Sequence, residues 1–281
     1  MTFPAGHEPP AFDPTVPNES RMHDYLLGGK DNFAADRQAA QQAIELAPEL
    51  PVLAREGRKF LHRVVRFLAG AGVRQFLDIG TGLPTQGSVH QIAQAVAPDC
   101  RVVYVDNDPV VGVHAQAILN NDPLTTVVQA DMRDSELIAG HPNLRKLIDL
   151  DQPTALLFFH VLYTIPEDDE VALSVARLGD LMAPGSYMAI SHPVSDLCPE
   201  VTARIAHLYQ QQTHVIRGEP RSNVRTRAEV ERLFSGWDLV EPGVAYLTQW
   251  RPDHEAIEAS RPIWSVGGVG RKAATGSPAQ E

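Results

Sequence analysis

Leu77-Asp-Ile-Gly-Thr-Gly82 closes a short apolar run, Arg74-Gln-Phe-Leu-Asp-Ile-Gly80, and leads into a helical pattern. From Thr85 to Ala97 the residues Val89, Ile92, Ala93 and Val96 recur at helical spacing, and Pro98 ends the run. A buried strand, a glycine turn and a helix, in that order, form the crevice where an open α/β sheet receives its ligand. Glycine at such a turn lets the backbone bend sharply and come close to a bound molecule. The Gly-x-Gly pair alone names no ligand. A dinucleotide turn wants a third Gly or Ala at position 85; Thr85, after Pro84, counts against pyrophosphate binding.

The same alternation extends downstream. Arg101-Val-Val-Tyr-Val-Asp106 reads as a second strand, and a helix opens at Asp108-Pro109 with Asp as N-cap and Pro at the first helical position. Its buried face is Val111, Ala115, Ile118 and Leu119. Thr125–Ala130, Ala155–Phe159 and Ser186–Ile190 supply three more strands. Between the last two, four acids in Pro166–Glu170 open a helix whose stripe is Val171, Val175, Leu178 and Met182. Strands alternating with helices predict a parallel sheet covered on both faces. The end breaks the rhythm. After a capping box at Thr226 and Glu229, Leu239–Trp250 and Ile263–Gly270 read as two strands with no crossover helix, so they should pair antiparallel.

Upstream, one helix is predicted from Asn32 to Ala47, stopping at Pro48, and a second carries Phe60, Leu61, Val64 and Leu68 on one face as far as Gly70. The organisation read from this is a proline-rich arm over 1–17, a helical lid or extension over 18–72, an α/β core over 73–272 and a polar tail over 273–281.

Three strand ends carry ligand chemistry. Gly80, Thr81 and Gly82 form the turn; Asp106, followed by Asn107, ends the second strand; Asp131 and Met132 end the third. A carboxylate at the second strand end can accept both hydroxyls of a ribose. At the third, a carboxylate can accept from an adenine amino group while Met lies on the ring. Each acid alone reads as a solvated strand end; together the three positions predict an adenosine site. NAD and S-adenosylmethionine both present that ribose, so the ligand stays open between them. His160 ends the fourth strand on the same sheet edge, as either a hydrogen-bonded core residue or a general base. His192 and Tyr25 are further candidates for that role.

Composition narrows the classes. The 281 residues suffice for a full core. A net charge of −11 without a long basic run disfavours nucleic acid as a substrate. No apolar run reaches the ~20 residues of a membrane span, and the N-terminus lacks a basic start and an apolar stretch. Two cysteines, Cys100 and Cys198, support neither a disulfide scaffold nor a multi-cysteine zinc site. The expectation is a cytoplasmic protein without a metal.

Arg21-Met-His-Asp-Tyr-Leu-Leu-Gly-Gly-Lys-Asp-Asn-Phe33 concentrates polar and glycine residues ahead of the first predicted helix. The plain reading is a glycine-broken loop that caps the helix through Asp31 or Asn32. The sharper one is a lid over the ligand, bending at Gly28 and Gly29, with Tyr25 as a stacking face and Asn32 as a polar contact.

This segment closely resembles the signature of an S-adenosylmethionine-dependent methyltransferase family abundant in actinobacteria, long described only as a domain of unknown function. The resemblance continues through Phe76–Thr85, Val89–Ala93, Val103–Val110, Pro184–Tyr187, Ile190–His192, Glu241–Gly243 and Trp250–Pro252. It implies a class I methyltransferase fold, a Rossmann-like doubly wound sheet with an antiparallel C-terminal strand. It implies S-adenosyl-L-methionine as cofactor and S-adenosyl-L-homocysteine as product. Gly80, Thr81 and Gly82 would surround the methionine end, Asp106 with Asn107 the ribose, and Asp131 with Met132 the adenine. Arg21, Tyr25, Gly29, Asn32 and His160 complete the expected cofactor contacts. His23 stands where the family usually has Tyr or a Val-Tyr pair, which bears on acceptor choice. A small-molecule acceptor is the expected partner. The rival readings are a non-catalytic cofactor-binding protein, an NAD(P)-dependent oxidoreductase and a macromolecule-modifying methyltransferase.

Overall fold

The computed structural model describes residues 13–83, 87–112, 122–212, 221–253 and 263–273. Thr85, the Ala115, Ile118 and Leu119 positions and most of the two predicted tails lie outside them. Strands β1 (Gln75–Ile79), β2 (Arg101–Asp106), β3 (Thr125–Gln129), β4 (Ala155–Phe159) and β5 (Tyr187–Pro193) run parallel in the spatial order β3-β2-β1-β4-β5. The reversal of order on either side of β1 leaves a crevice at its C-terminal end.

Beyond β5 the sheet continues with β6 (Asp238–Leu239), β7 (Ala245–Tyr246) and β8 (Ser265–Arg271). β8 runs antiparallel to β5 from Tyr187↔Arg271 to Pro193↔Ser265, and both short strands pair antiparallel with β8. The antiparallel finish is as expected, but Leu239–Trp250 is not one strand. Pro242 has no N–H to give a ladder, Gly243 turns at φ 78°, and a 3₁₀ turn over Leu247–Gln249 follows β7. β8 is a glycine-rich strand for a packing reason. A Cβ on Gly267 would collide with the Phe60 ring, so the bare backbone is what lets that ring seat on the sheet.

Helices α1 (Glu19–Leu26), α2 (Ala34–Leu46) and α3 (Leu50–Gly70) precede the sheet. α3 lies across one face, with Phe60, Val64 and Leu68 fully buried among Phe76, Leu157, Ala189 and Trp250. The other face alternates with it: Leu77, Ile79, Leu156 and Phe158 pack under Val171, Val175 and Leu178 of α8 (Asp168–Asp180). The remaining helices are α4 (Val89–Val96), α5 (described over 109–112), α6 (Ser135–Gly140), α7 (Pro142–Leu147), α9 (Pro199–Gln212) and α10 (Arg227–Arg232). The predicted caps form: Val110 N–H donates to Asp108 Oδ1 at 2.8 Å, and Thr226 and Glu229 close their box.

The expected loop ahead of the first helix is helical in its first half, as far as Leu26. Asn18 caps α1 through its side chain, and Gly28, at φ 80°, stands just beyond its end. One buried carboxylate then fixes the segment at both ends: Asp36 accepts from Asn18 N–H (2.9 Å), Arg21 Nε (2.8 Å) and Phe33 N–H (2.8 Å). Neither Asp31 nor Asn32 caps α2; Phe33 holds that position and Asp36 serves it.

Candidate active site

The turn after β1 is built before any ligand arrives. Gly80 and Gly82 adopt φ of 67° and 64°, the left-handed region. A Cβ on Gly80 would strike the Val161 side chain, so only glycine leaves the surface open there. Gly80 N–H donates to Val105 O at 2.8 Å, and Gly82 N–H to Asp106 Oδ2 at 2.8 Å. Asp106 thus shapes the glycine turn as well as facing the cavity, while its Oδ1 accepts from Asp108 N–H at 2.9 Å. Burial pushes its carboxyl up to about 6, and the N–H groups of Asp108 and Gly82 pull it back.

Gly80, Thr81, Gly82, Asp106, Asn107, Asp131, Met132 and His160 all line one cavity of about 200 Å³ at the strand ends. Arg133 grips Asp131 from Nε (2.9 Å) and Nη2 (2.7 Å), fixing the carboxylate at the rim. His160 is one of two non-glycine residues at positive φ among the described residues, at 52°. Such conformations cost ~1–3 kcal/mol and gather at functional sites. Its Nδ1 lies 2.9 Å from Ser191 Oγ, its Nε2 3.4 Å from Ser265 Oγ, and burial pushes the imidazole down to about 4. The ring is therefore neutral at pH 7.

Four of the predicted residues do not line this cavity. Arg21 turns to Asp36, Tyr25 packs against the buried cluster of Met22, Ala39 and Ala40, and Asn32 donates to Asp24 Oδ2 at 2.8 Å. Gly29 lies against Asp24, where a Cβ would collide with the carboxylate. The N-terminal segment reaches the cavity instead through Asn18, Glu19, Ser20, His23 and Asp24. Asn18 Nδ2 also donates to Asp108 Oδ2 at 2.8 Å, tying the start of α1 to the end of β2.

Asp78 and Arg58 complete the wall, and the sequence reading did not assign either of them. Asp78 lay in plain view inside the glycine motif. Burial lifts its carboxyl to about 7, against a Thr81 hydrogen bond and the Arg58 charge. Arg58 follows Gly57, a glycine in the interior of a 21-residue helix. Glycine there costs ~1 kcal/mol against alanine and signals close approach. A Cβ on Gly57 would sit 3.2 Å from His160 Cε1.

The profile of the family described as S-adenosyl methyltransferase matches residues 5–273. This chain belongs to that family. It is similar to the crystal structure of a candidate methyltransferase from Thermobifida fusca YX, at 42% identity and a TM-score of 0.85 over 92% of this chain and 96% of that one. It is equally similar to a DUF574 family protein from Streptomyces avermitilis MA-4680, at 39% identity and a TM-score of 0.86 over 92% and 99%. An O-methyltransferase family protein from Burkholderia thailandensis, at 10% identity and a TM-score of 0.53 over 93% and 65%, shares the fold alone. No curated protein matches. The fold is the class I methyltransferase fold, and the family's cofactor is S-adenosyl-L-methionine.

The residues present fit that cofactor. It carries a sulfonium and an ammonium, and the S-adenosyl methyltransferase cavity offers Asp24, Asp78, Asp106, Asp108 and Asp131 against Arg58 and Arg133. Among the described residues no cluster of His, Cys, Asp and Glu could hold a metal, and no helix is long and apolar enough to cross a membrane.

A second cavity, of about 120 Å³, adjoins the first and shares His23, His160 and Tyr163 with it. Its wall is mostly apolar: Leu26, Leu50, Leu53, Ile205, Val224 and Trp264 among others. Burial pushes His23 down to about 3, with Arg58 and His160 adding to the effect, so this shared wall is uncharged as well.

Proposed function

We propose that this chain is an enzyme that moves the methyl group of S-adenosyl-L-methionine to a small molecule held in the second cavity. The observation that carries the reading is the junction: two cavities of opposite character meet at His23, His160 and Tyr163. When bound, the cofactor supplies an electrophilic methyl on sulfur, and the displacement needs an in-line nucleophile and a dry site.

The roles follow from the chemistry at each position. Asp106 accepts from the ribose hydroxyls, with Asn107 at the rim. Asp131 and Met132 receive the adenine. Asp78 faces the ammonium and Arg58 the carboxylate of the methionine end, with Gly80, Thr81 and Gly82 forming the floor. His160, neutral and at the junction, is the group that can take a proton from an acceptor heteroatom. The segment around α1 closes the cofactor cavity as a wall through Ser20, His23 and Asp24.

Titration calorimetry tests the reading. S-adenosylhomocysteine should bind at one site per chain, with NAD and NADP at least a hundredfold weaker. A nicotinamide cofactor binding as tightly would overturn it.

A further inference from the structure

The second cavity has a chemical signature of its own. No aspartate or glutamate lines it among the described residues, so a cationic occupant finds no carboxylate in its wall. Its two arginines are already engaged. Arg225 donates to Asp168, to Leu162 O (3.0 Å) and to Ile165 O (2.8 Å), and Arg221 to Asp168 and Asn223 O (3.1 Å). An anionic occupant therefore finds no free cation in them. Four further polar side chains around it are matched in the same way. Trp264 Nε1 donates to Glu49 (2.9 Å), Tyr163 Oη to Glu19 (3.0 Å), Thr202 Oγ1 to Cys198 O (3.0 Å) and Asn223 Nδ2 to Pro199 O (2.7 Å).

One buried atom breaks this pattern. His192 lies 2.6 Å from Pro193 O through Nδ1, and a carbonyl only accepts, so Nδ1 carries the proton. Nε2 is then a bare lone pair, buried and without a hydrogen-bond partner. The Tyr163 and His192 rings meet edge to face at 6.3 Å, and both residues line the cavity.

We infer that the second cavity binds an uncharged, largely apolar acceptor of about one aromatic ring, anchored by an O–H or N–H group that donates to Nε2 of His192. The size follows from the volume, since apolar cavities of about 150 Å³ hold a benzene ring. The charge follows from the absence of a free counter-ion, and the donor from the buried acceptor left unmatched. The inference rests on the methyl-transfer reading and narrows it to a substrate class.

Three ring probes of matched size decide it: 4-ethylphenol, which has the donor; 4-ethylanisole, which lacks it; and 4-ethylbenzoate, which is anionic. Their affinities for the full chain saturated with S-adenosylhomocysteine are read by ligand-observed NMR. The expected result is saturable binding of 4-ethylphenol, at least tenfold tighter than either of the others. His192→Phe should reduce its advantage over 4-ethylanisole to less than twofold. Ala206→Phe, which fills the cavity from α9, should weaken 4-ethylphenol by more than tenfold and leave S-adenosylhomocysteine within twofold; it serves alone if the histidine variant does not fold. Tightest binding by 4-ethylbenzoate, a preference that survives in His192→Phe, or no probe binding to the loaded protein would overturn the inference. Failure of S-adenosylhomocysteine itself to bind would instead overturn the methyl-transfer reading.

Discussion

The two cavities differ less in size than in what their walls do with charge. The strand-end cavity gathers six carboxylates, and burial lifts two of them, Asp78 to about 7 and Asp106 to about 6. The neighbouring cavity keeps three imidazoles, His23, His160 and His192, pushed down to between about 3 and about 4, and engages its arginines elsewhere. A charged group is costly to bury unless it is matched. One wall therefore holds ionisable groups waiting for a cation, and the other has been made electrically neutral. Two reactants of unlike charge can be told apart by such walls before any shape is compared.

The largest effect on the first wall should come from Asp106→Ala. Losing a charge-assisted acceptor for two hydroxyls is expected to cost ~2–4 kcal/mol of S-adenosylhomocysteine affinity, roughly 30- to 700-fold. Part of that loss will come through Gly82, which donates to the same carboxylate. Asp106→Asn keeps an oxygen for Gly82 and should recover part of it. Calorimetry on both variants separates turn shape from ribose contact.

Gly80→Ala should come next. The added methyl meets Val161 at a backbone angle that L side chains rarely adopt, for a penalty of ~1–3 kcal/mol. Affinity for S-adenosylhomocysteine should fall by about tenfold or more, with a smaller loss of probe binding in the second cavity. Equal losses in both would mean that the cavities are not separable.

Asp78 offers a pH test. Its carboxyl lies at about 7, and an ammonium partner favours the ionised form, so a proton must leave before the partner is bound. Affinity should therefore hold above pH 7 and fall as pH drops below it, by up to about tenfold per unit. Asp78→Asn should bind more weakly at pH 8 and flatten the slope between pH 7 and 6. A slope unchanged in that variant would move the effect to another group.

Gly80 and Asp106, unlike Asp78, were legible because strand ends obey a rule of position: a period-2 apolar run followed by glycine or acid marks the sheet edge without tertiary knowledge. The parallel strands and the antiparallel finish were readable for the same reason, whereas the break at Pro242 and Gly243 was passed over inside an apolar run. The N-terminal segment was legible as important but not in its contacts. Arg21 and Asn32 resemble ligand contacts in a string of letters, yet Asp36 and Asp24, brought to them by folding, hold both. The second cavity was invisible in sequence, since its wall comes from α1, α3, β5, α9 and residues 221–225.

The smallest effects should mark that correction. Tyr25→Phe and Asn32→Ala are expected to change S-adenosylhomocysteine affinity by less than threefold, because neither side chain lines either cavity. A loss above tenfold in both, with the fold intact, would return the segment to direct cofactor contact.

A crystal structure of the chain with S-adenosylhomocysteine tests the division of labour most directly. The account predicts the ribose on Asp106, the adenine beside Asp131 and Met132, and the sulfur facing His160 where the cavities join. A ligand whose sulfur points away from that junction, or one seated in the apolar cavity, would contradict it.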